Sequence, residues 1–143
     1  MGGNRVRNIG TPTQATDATT KAYVDSVKQA LDIKDSARVA TTANLAAAYD
    51  NGTGGVGATL TADANGAISV DGVTLISGNR VLVKNQTTTT QNGLYSVTTV
   101  GDGSTAFVLT RTTDADSSAE VTGGMFTFVE EGSTNGDNGF VLT

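Results

Sequence analysis

The clearest strand pattern of the chain lies in RVLVKNQTTTTQNGLYSVTTV, residues 80–100, where two strand-like segments flank a polar connection. RVLVK, residues 80–84, is the clearest strand of the chain, because aliphatic and β-branched side chains follow one another there. LYSVTTV, residues 94–100, predicts the next strand, and the Asn92-Gly93 pair before it fits a tight turn. We therefore expect residues 80–100 to form two neighbouring strands of a sheet.

Downstream of this pair, three more segments alternate between apolar and polar residues with the period of a strand. AFVLTRT (106–112) follows a Gly-Asp-Gly turn and is predicted to pair back on the preceding strand as a meander. MFTFVEE (125–131) alternates cleanly, and GFVLT (139–143) begins a further strand after a polar turn. Since that strand begins so close to the end of the sequence, we expect the native polypeptide to continue beyond it.

Upstream, SARVAT (36–41) predicts a strand, and the segments ISV and VTLI flank Asp71-Gly72, which is a strong signal for a short hairpin. The Ala- and Gly-rich stretch 43–61 is ambiguous, and its Gly cluster at 52–57 predicts a surface loop or an insertion. The pattern over residues 34–143 predicts a mainly β domain built as a sandwich or a meander.

The composition excludes several classes of function. The chain has 143 residues with no His, Cys or Trp, a net charge of −5, and 5% aromatic residues. The missing residue types remove the commonest general base, thiol nucleophiles and the usual ligands of zinc. An acidic balance argues against nucleic acid as a partner, and no apolar run reaches the roughly 18 residues of a membrane span. We therefore expect a protein that is not an enzyme and has no cofactor.

Residues 1–33 are expected to form a separate part of the chain, consisting of an extended arm and a short helix. Pro12, the single proline, disfavours the α conformation at the residue before it, so the arm should be extended. Thr16 and Asp17 are good helix caps, and a helix is predicted from about residue 18 to residue 31.

The apolar side chains of this helix make a narrow seam. Val24, Val27 and Leu31 follow the spacing of one heptad. A helix of about 14 residues is marginal by itself in water, whereas burial of each of these side chains contributes about 1.5–3 kcal/mol. The seam must therefore be covered, and two coverings are open: the β domain of the same chain, or copies of the helix around an axis.

The segment DADSSAE (114–120) is the first candidate for chemistry. Its acidic and hydroxyl side chains lie two residues apart, as in part of a calcium loop. A calcium loop needs Gly at the sixth position and Glu at the twelfth, where this chain has Ala119 and Met125. We expect a polar turn here and no metal site.

Two further candidates also lack the required geometry. Glu130 and Glu131, together with Asp114 or Asp116, suggest the paired carboxylates of a glycosidase. However, adjacent residues of a strand point to opposite faces, and the chain has no Trp to bind a sugar. Lys84 beside Asn85 suggests a Lys–Asn crosslink, which needs a buried Lys next to a carboxylate. Because Lys84 shares a strand face with Arg80, an exposed Lys is expected instead.

The N-terminal stretch NRVRNIGTPTQATDATTKAYVDS, residues 4–26, resembles the repeat motif I-x-N-L-G-T-P-x-x-x-x-D-A-x-x-K-x-Y-V-D of bacteriophage tail fibres. The matching positions are Val6, Asn8, Ile9, Gly10, Pro12, Asp17, Ala18, Lys21, Tyr23, Val24 and Asp25, with Ile9 in place of the usual Leu. Residues 34–45, 71–97 and 109–142 resemble a β-rich module of phage fibres and related virion proteins. In that module a W-x-R-A-T-D-A-D segment is common, and here Leu109 stands where the Trp would be.

The resemblance implies a structural virion protein, a rod-shaped homotrimer whose N-terminal region joins the phage tail or baseplate to a distal host-binding part. Val24, Val27 and Leu31 would then form the trimer interface, and Val6, Ile9 and Pro12 would contact the virion. Host receptors would be bound through regions beyond this chain. Two alternatives remain open, a head fibre or capsid decoration protein, and a receptor-binding protein that binds or cleaves carbohydrate.

Overall fold

The computed structural model of the chain describes residues 13–14, 20 and 31–143. The chain divides into two compact units, Met1–Asp32 and Ile33–Thr143. The strands are β1 (Asp32–Ile33), β2 (Val39–Ala40), β3 (Ala47–Asp50), β4 (Thr59–Ala62), β5 (Ser69–Val70), β6 (Val73–Thr74), β7 (Arg80–Val83), β8 (Gly93–Thr99), β9 (Val108–Arg111), β10 (Met125–Val129) and β11 (Asn138–Val141). A single turn of 3₁₀ helix, Thr89–Gln91, is the only helical element among the described residues. The prediction of a mainly β fold is thus confirmed for the described part of the chain.

The largest sheet has six strands in the order β2-β7-β8-β9-β4-β3. Strands β7, β8 and β9 are antiparallel neighbours, as the sequence predicts for the stretch 80–100 and the strand after it. Strand β2 pairs with β7 in parallel, and β4 lies beside β9, which closes the other side of the meander.

The connection between β7 and β8 differs from the expected tight turn. Gly93 already pairs with Val83, so Asn92-Gly93 does not form the turn by itself. The chain instead turns through the longer segment 84–92, which contains the 3₁₀ helix. Asn92 supports this loop by a side-chain oxygen that accepts a 2.9 Å hydrogen bond from the backbone N–H of Gln86. The connection is therefore a longer loop, stabilised by the side chain of Asn92, and not a two-residue hairpin turn.

The Asp71-Gly72 hairpin is confirmed. Strands β5 and β6 pair with Val70 opposite Val73, and the two residues between them have φ values of 50° and 82°. Both values lie in the left-handed region that a type I′ turn requires. Asn, Asp and Gly adopt this region at the lowest cost, which is why the dipeptide is informative.

The six-stranded sheet is covered on both of its faces. One core contains Leu60, Tyr95 and Leu109 from the sheet together with Ile68 and Leu75 from the hairpin segment. The other contains Leu82 and Leu94 from the sheet together with Met125 and Val129 from a three-stranded sheet of order β1-β10-β11. The second unit is thus a layered β structure in which one sheet supports two cores.

The N-terminal predictions fall largely outside the described residues. Val6, Ile9, Pro12, Val24 and Val27 all lie there, so the arm, the helix and its bundle stay predictions. Within the predicted helix the structure describes Thr20 and Leu31, and it places neither in a helix.

Candidate functional site

An open cavity of about 550 Å³ lies in the unit Ile33–Thr143. It lies where the second core reaches the surface. Its apolar lining comes from Leu82, Ala115, Val121, Met125, Phe140 and Leu142. Val121 and Leu142 are 36% and 41% exposed, whereas Leu82 and Met125 are each only 8% exposed. The walls therefore run from a solvent-accessible rim to a buried floor.

Two cationic side chains, Lys84 and Arg111, also line this cavity. Lys84 follows β7, whose last residue Val83 lies opposite Gly93. The guanidinium carbon of Arg111 lies 3.4 Å from the point where a Cβ on Gly93 would stand. Gly93 therefore leaves room for the Arg111 head group beside the end of β7, which places both cations near one end of the β7–β8 pair.

The position of Lys84 follows from strand alternation. Val81 and Val83 belong to the first core, and Leu82 belongs to the second. Lys84 continues the Leu82 face, and its Nζ lies 5.4 Å from the centroid of the Phe140 ring. At this distance a cation is attracted to the face of the ring. Lys84 is therefore partly buried, in contrast to the exposed Lys that we expected from its face alone.

Arg111 holds the β7–β8 loop through Nη2, which donates to the carbonyl oxygens of Thr90 and Asn92 at 3.2 Å. The same atom donates to the hydroxyl of Tyr95 at 3.0 Å, and the guanidinium lies 5.3 Å from the Tyr95 ring centroid. Burial raises the pKa of Tyr95, although the Arg111 hydrogen bond and charge act in the opposite direction. All the hydrogen-bond acceptors of Arg111 in the described part of the chain are therefore neutral oxygens.

The DADSSAE segment forms turns and bends, and its carboxylates have separate partners. Asp114 makes a 2.9 Å salt bridge with Arg80. Desolvation raises the pKa of Asp114, but the hydrogen bonds from Arg80 and Thr112 and the charge of Arg80 together offset it, so the pKa lies below its usual value. Among the described residues no three acidic side chains come together in a group that could hold a metal ion.

Asp116 and Glu120 form a small carboxylate pair inside this segment. Glu120 Oε2 accepts hydrogen bonds from the Ser117 hydroxyl at 2.8 Å and the Ser117 N–H at 3.1 Å, and these contacts lower the pKa of Glu120. Burial raises the pKa of Asp116, and Glu120 raises it further against a smaller opposing effect of Arg111. The contacts of these two carboxylates therefore lie mainly within their own turn, which they stabilise.

Glu130 and Glu131 do not act together either. Glu130 accepts a hydrogen bond from the hydroxyl of Ser36, while Glu131 makes a 3.0 Å salt bridge with Arg38. Both partners lie on the segment that leads into β2. The two carboxylates therefore attach that segment to the end of β10, which is a structural role.

Of the residues expected at a trimer interface or at the virion, the structure describes Leu31, which is 45% exposed. Lys84 and Arg111 were not expected to share a site. The signal for Lys84 was its place on the Leu82 face of β7, which becomes informative only when the second core is known. Arg111 gave no such signal, because the predicted meander pairs the segment 106–112 with the preceding strand but does not give the register that places Arg111 opposite Tyr95.

No family model, curated protein or solved structure matches this chain. Within the described residues, no helix is long and apolar enough to cross a membrane.

Proposed function

We propose that this chain is a structural component of a bacteriophage particle, the N-terminal part of a tail fibre that assembles as a homotrimer. The observation that carries the proposal is the agreement of residues 6–25 with the fibre repeat motif. The agreement includes the Gly-Thr-Pro segment and the Lys-x-Tyr-Val-Asp segment at their proper spacing. Such a trimer provides the surface that would cover the short apolar seam of the predicted helix.

The outer face of the three-stranded sheet adds support for an assembly role. Met125, Thr127 and Val129 of β10 point into the molecule, so Phe126 and Phe128 lie on the opposite face. Val141 lies opposite Phe126 and therefore shares that outer face. Phe128 is 40% exposed and Val141 is 51% exposed. A row of exposed apolar side chains on one sheet face suits contact with another copy of the chain.

The alternatives within the virion are a head fibre and a capsid decoration protein, which would use the same β unit at a different place. A receptor-binding protein that grips or cleaves carbohydrate has less support. Of the candidate carboxylates, Glu131 pairs with Arg38, Asp114 with Arg80 and Glu120 with Ser117 of its own turn, so these three are not arranged in the manner of a glycosidase.

Sedimentation of the purified chain tests the trimer directly. We expect a mass three times the 14.4 kDa of one chain, and we expect Val27→Asp to give the single-chain mass, because a charge in the seam cannot be covered. Val56→Asp is the matched control, since Val56 is 51% exposed in the β unit. A wild-type chain that sediments as a monomer would remove the basis of the proposal.

The place in the particle requires electron microscopy of the intact virion. Three-fold density at the tail periphery, labelled by an antibody against the β unit, supports a tail fibre. Density confined to the capsid would replace the tail fibre by the head fibre or decoration alternative. Release of oligosaccharides from host polysaccharide by the purified chain would favour the carbohydrate alternative.

A further inference from the structure

The cationic side chains of the described part of the chain differ in the kinds of group that they contact. These residues are Lys34, Arg38, Arg80, Lys84 and Arg111. Arg38 and Arg80 form salt bridges with Glu131 and Asp114. Lys84 and Arg111 form none within the described residues, and both line the 550 Å³ cavity. In a protein with a net charge of −5, acidic partners are abundant, so two cations at one concave surface that form no salt bridge within the described residues call for an explanation, even though Arg111 feels the charge of Asp116.

The immediate partners of these two cations are all neutral. Lys84 Nζ donates to the side-chain oxygen of Asn85 at 3.3 Å and lies over the ring of Phe140. Arg111 donates through Nη2 to two carbonyls and to Tyr95, and its Nε is buried with no acceptor. Arg111 Nε has almost no accessible surface and therefore does not face a ligand, but charged donors such as Lys84 Nζ and the rest of the guanidinium bind anionic oxygens more strongly than neutral ones. The cavity therefore has unused capacity for an anion.

The remaining lining is mainly hydrophobic, with a few Thr and Asn residues, which limits the kind of anion that fits. Met125 and Leu82 form the floor, Phe140 forms a wall, and Val121 and Leu142 stand at the rim. Cavities of roughly 300–1,000 Å³ with apolar walls and a few placed polar groups are typical of small-molecule sites. A phosphate or a sugar would leave this apolar surface uncovered, whereas a molecule with an apolar body and one anionic head would cover it.

We propose that the cavity binds a small anionic amphiphile, such as a medium-chain carboxylate, with its head at Lys84 and Arg111 and its tail against Met125 and Phe140. The site does not depend on trimer formation or on a virion location, so it goes beyond the function proposed above. Its failure would leave that function unaffected.

The experiment uses the full chain labelled with ¹³C in the methionine methyl groups. The chain has two Met residues, Met1 and Met125, of which Met125 lines the cavity and Met1 serves as an internal reference. Octanoate, octanol and octylammonium are added in turn, since they share a tail and differ in the charge of the head. We expect octanoate to move the Met125 signal in a saturable way, with an affinity at least about tenfold above that of octanol.

Substitution of Lys84 tests the contribution of its charge to binding separately from the contribution of the apolar lining. Lys84→Gln removes one cation while keeping a polar side chain, and Arg38→Gln removes one cation outside the cavity. We expect Lys84→Gln to weaken octanoate binding by about tenfold and to leave octanol unchanged, while Arg38→Gln leaves both unchanged. The folded state of each variant is checked by the dispersion of its amide spectrum. If Lys84→Gln fails this check, Lys84→Arg, which keeps the cation, must bind octanoate as the wild type does.

Four results would overturn the proposal. These are the absence of a Met125 shift at millimolar octanoate, equal binding of octanoate and octanol, equal loss in Lys84→Gln and Arg38→Gln, and loss of octanoate binding in Lys84→Arg. A Met125 signal that moves with protein concentration alone would assign the cavity to a second copy of the chain instead.

Discussion

At the scale of single residues, Asp71 shows how a turn residue can hold a distant loop. Its carboxylate accepts hydrogen bonds from the backbone N–H of Thr134 at 3.0 Å and of Asn135 at 2.8 Å. A Cβ on Gly132 would lie 2.4 Å from Asp71 Oδ2, so only Gly allows the loop to approach this closely. Asn135 also reaches the carbonyl of Ala40 at 3.3 Å. Asp71 therefore connects the β5–β6 hairpin, the β10–β11 loop and the end of β2.

The Asp71 contacts predict a dependence of stability on pH. Partial desolvation raises the pKa of Asp71, but the hydrogen bonds from Asn135 and Thr134 outweigh it and hold the pKa below its usual value. A carboxyl whose pKa is lowered on folding stabilises the protein above its unfolded pKa of about 3.9 and loses that effect as the pH falls through the folded pKa. The stabilisation should therefore be complete at neutral pH and absent in strong acid.

Thermal unfolding of Asp71→Asn, followed by circular dichroism, measures this effect. Asn tolerates the φ of 50° at this position, so the substitution removes the charge with little change in backbone strain. We expect a lower Tm than that of the wild type at pH 7 and a difference that shrinks as the pH falls below about 4. Asp63→Asn, at an exposed position after β4, is the control. A Tm difference that stays constant with pH would mean that the carboxylate charge is not responsible.

At the scale of elements, the alternation of side chains predicted most strands but not their neighbours. RVLVK fixes β7 because Val81, Leu82 and Val83 are all buried, as expected for a strand covered on both faces. The parallel pairing of β2 with β7 and the position of β4 beside β9 were not predicted. These contacts join segments far apart in sequence, and periodicity shows which face is apolar but not which strand lies alongside.

The Gly cluster at 52–57 is an element whose structure the sequence left open. It forms the connection between β3 and β4, whose strands pair from Asp50 and Thr59 outward. Gly55 is buried, and a Cβ there would stand 2.4 Å from the carbonyl oxygen of Asp116. The loop is therefore packed against the DADSSAE segment, although its composition alone predicts a surface loop.

Two neighbouring glycines of this loop differ in how much an added Cβ should cost. Gly54 and Gly55 both have positive φ values, 65° and 109°, but of the two only Gly55 has an atom near its missing Cβ. We expect Gly54→Ala to lower the free energy of unfolding by about 1–2 kcal/mol. Gly55→Ala should lower it by more, because its φ lies outside the left-handed α region and the carbonyl of Asp116 must also move.

Urea unfolding of both glycine variants measures the difference. An unchanged slope with denaturant would show that only stability has changed. Equal losses for the two variants would contradict the close packing of the loop on the segment 114–120.

At the scale of the whole β unit, the six-stranded sheet is shared by two cores and also carries the candidate cavity. The sequence predicted a layered β domain, because alternating strands must bury one face or both. It did not predict the cavity, since Lys84 and Arg111 come to line one cavity only through the register of β7, β8 and β9. A site formed by three paired strands depends on the register of all three, which a single sequence does not specify.

The shared sheet predicts that the two cores unfold together. Leu109 belongs to the first core and Leu94 to the second, and both are 0% exposed on adjacent strands of the same sheet. Each of Leu109→Ala and Leu94→Ala is expected to cost roughly 2–5 kcal/mol by leaving a cavity. Because β7 and β8 each contribute side chains to both cores, neither core can lose its strands while the other keeps them. Urea unfolding monitored by far-ultraviolet circular dichroism and by tyrosine fluorescence should therefore give coincident single transitions in both variants, at lower midpoints than in the wild type. Leu142→Ala, at the partly exposed rim of the cavity, should shift the midpoint much less. A variant in which the tyrosine signal and the backbone signal change at different urea concentrations would mean that the two faces of the sheet fold independently.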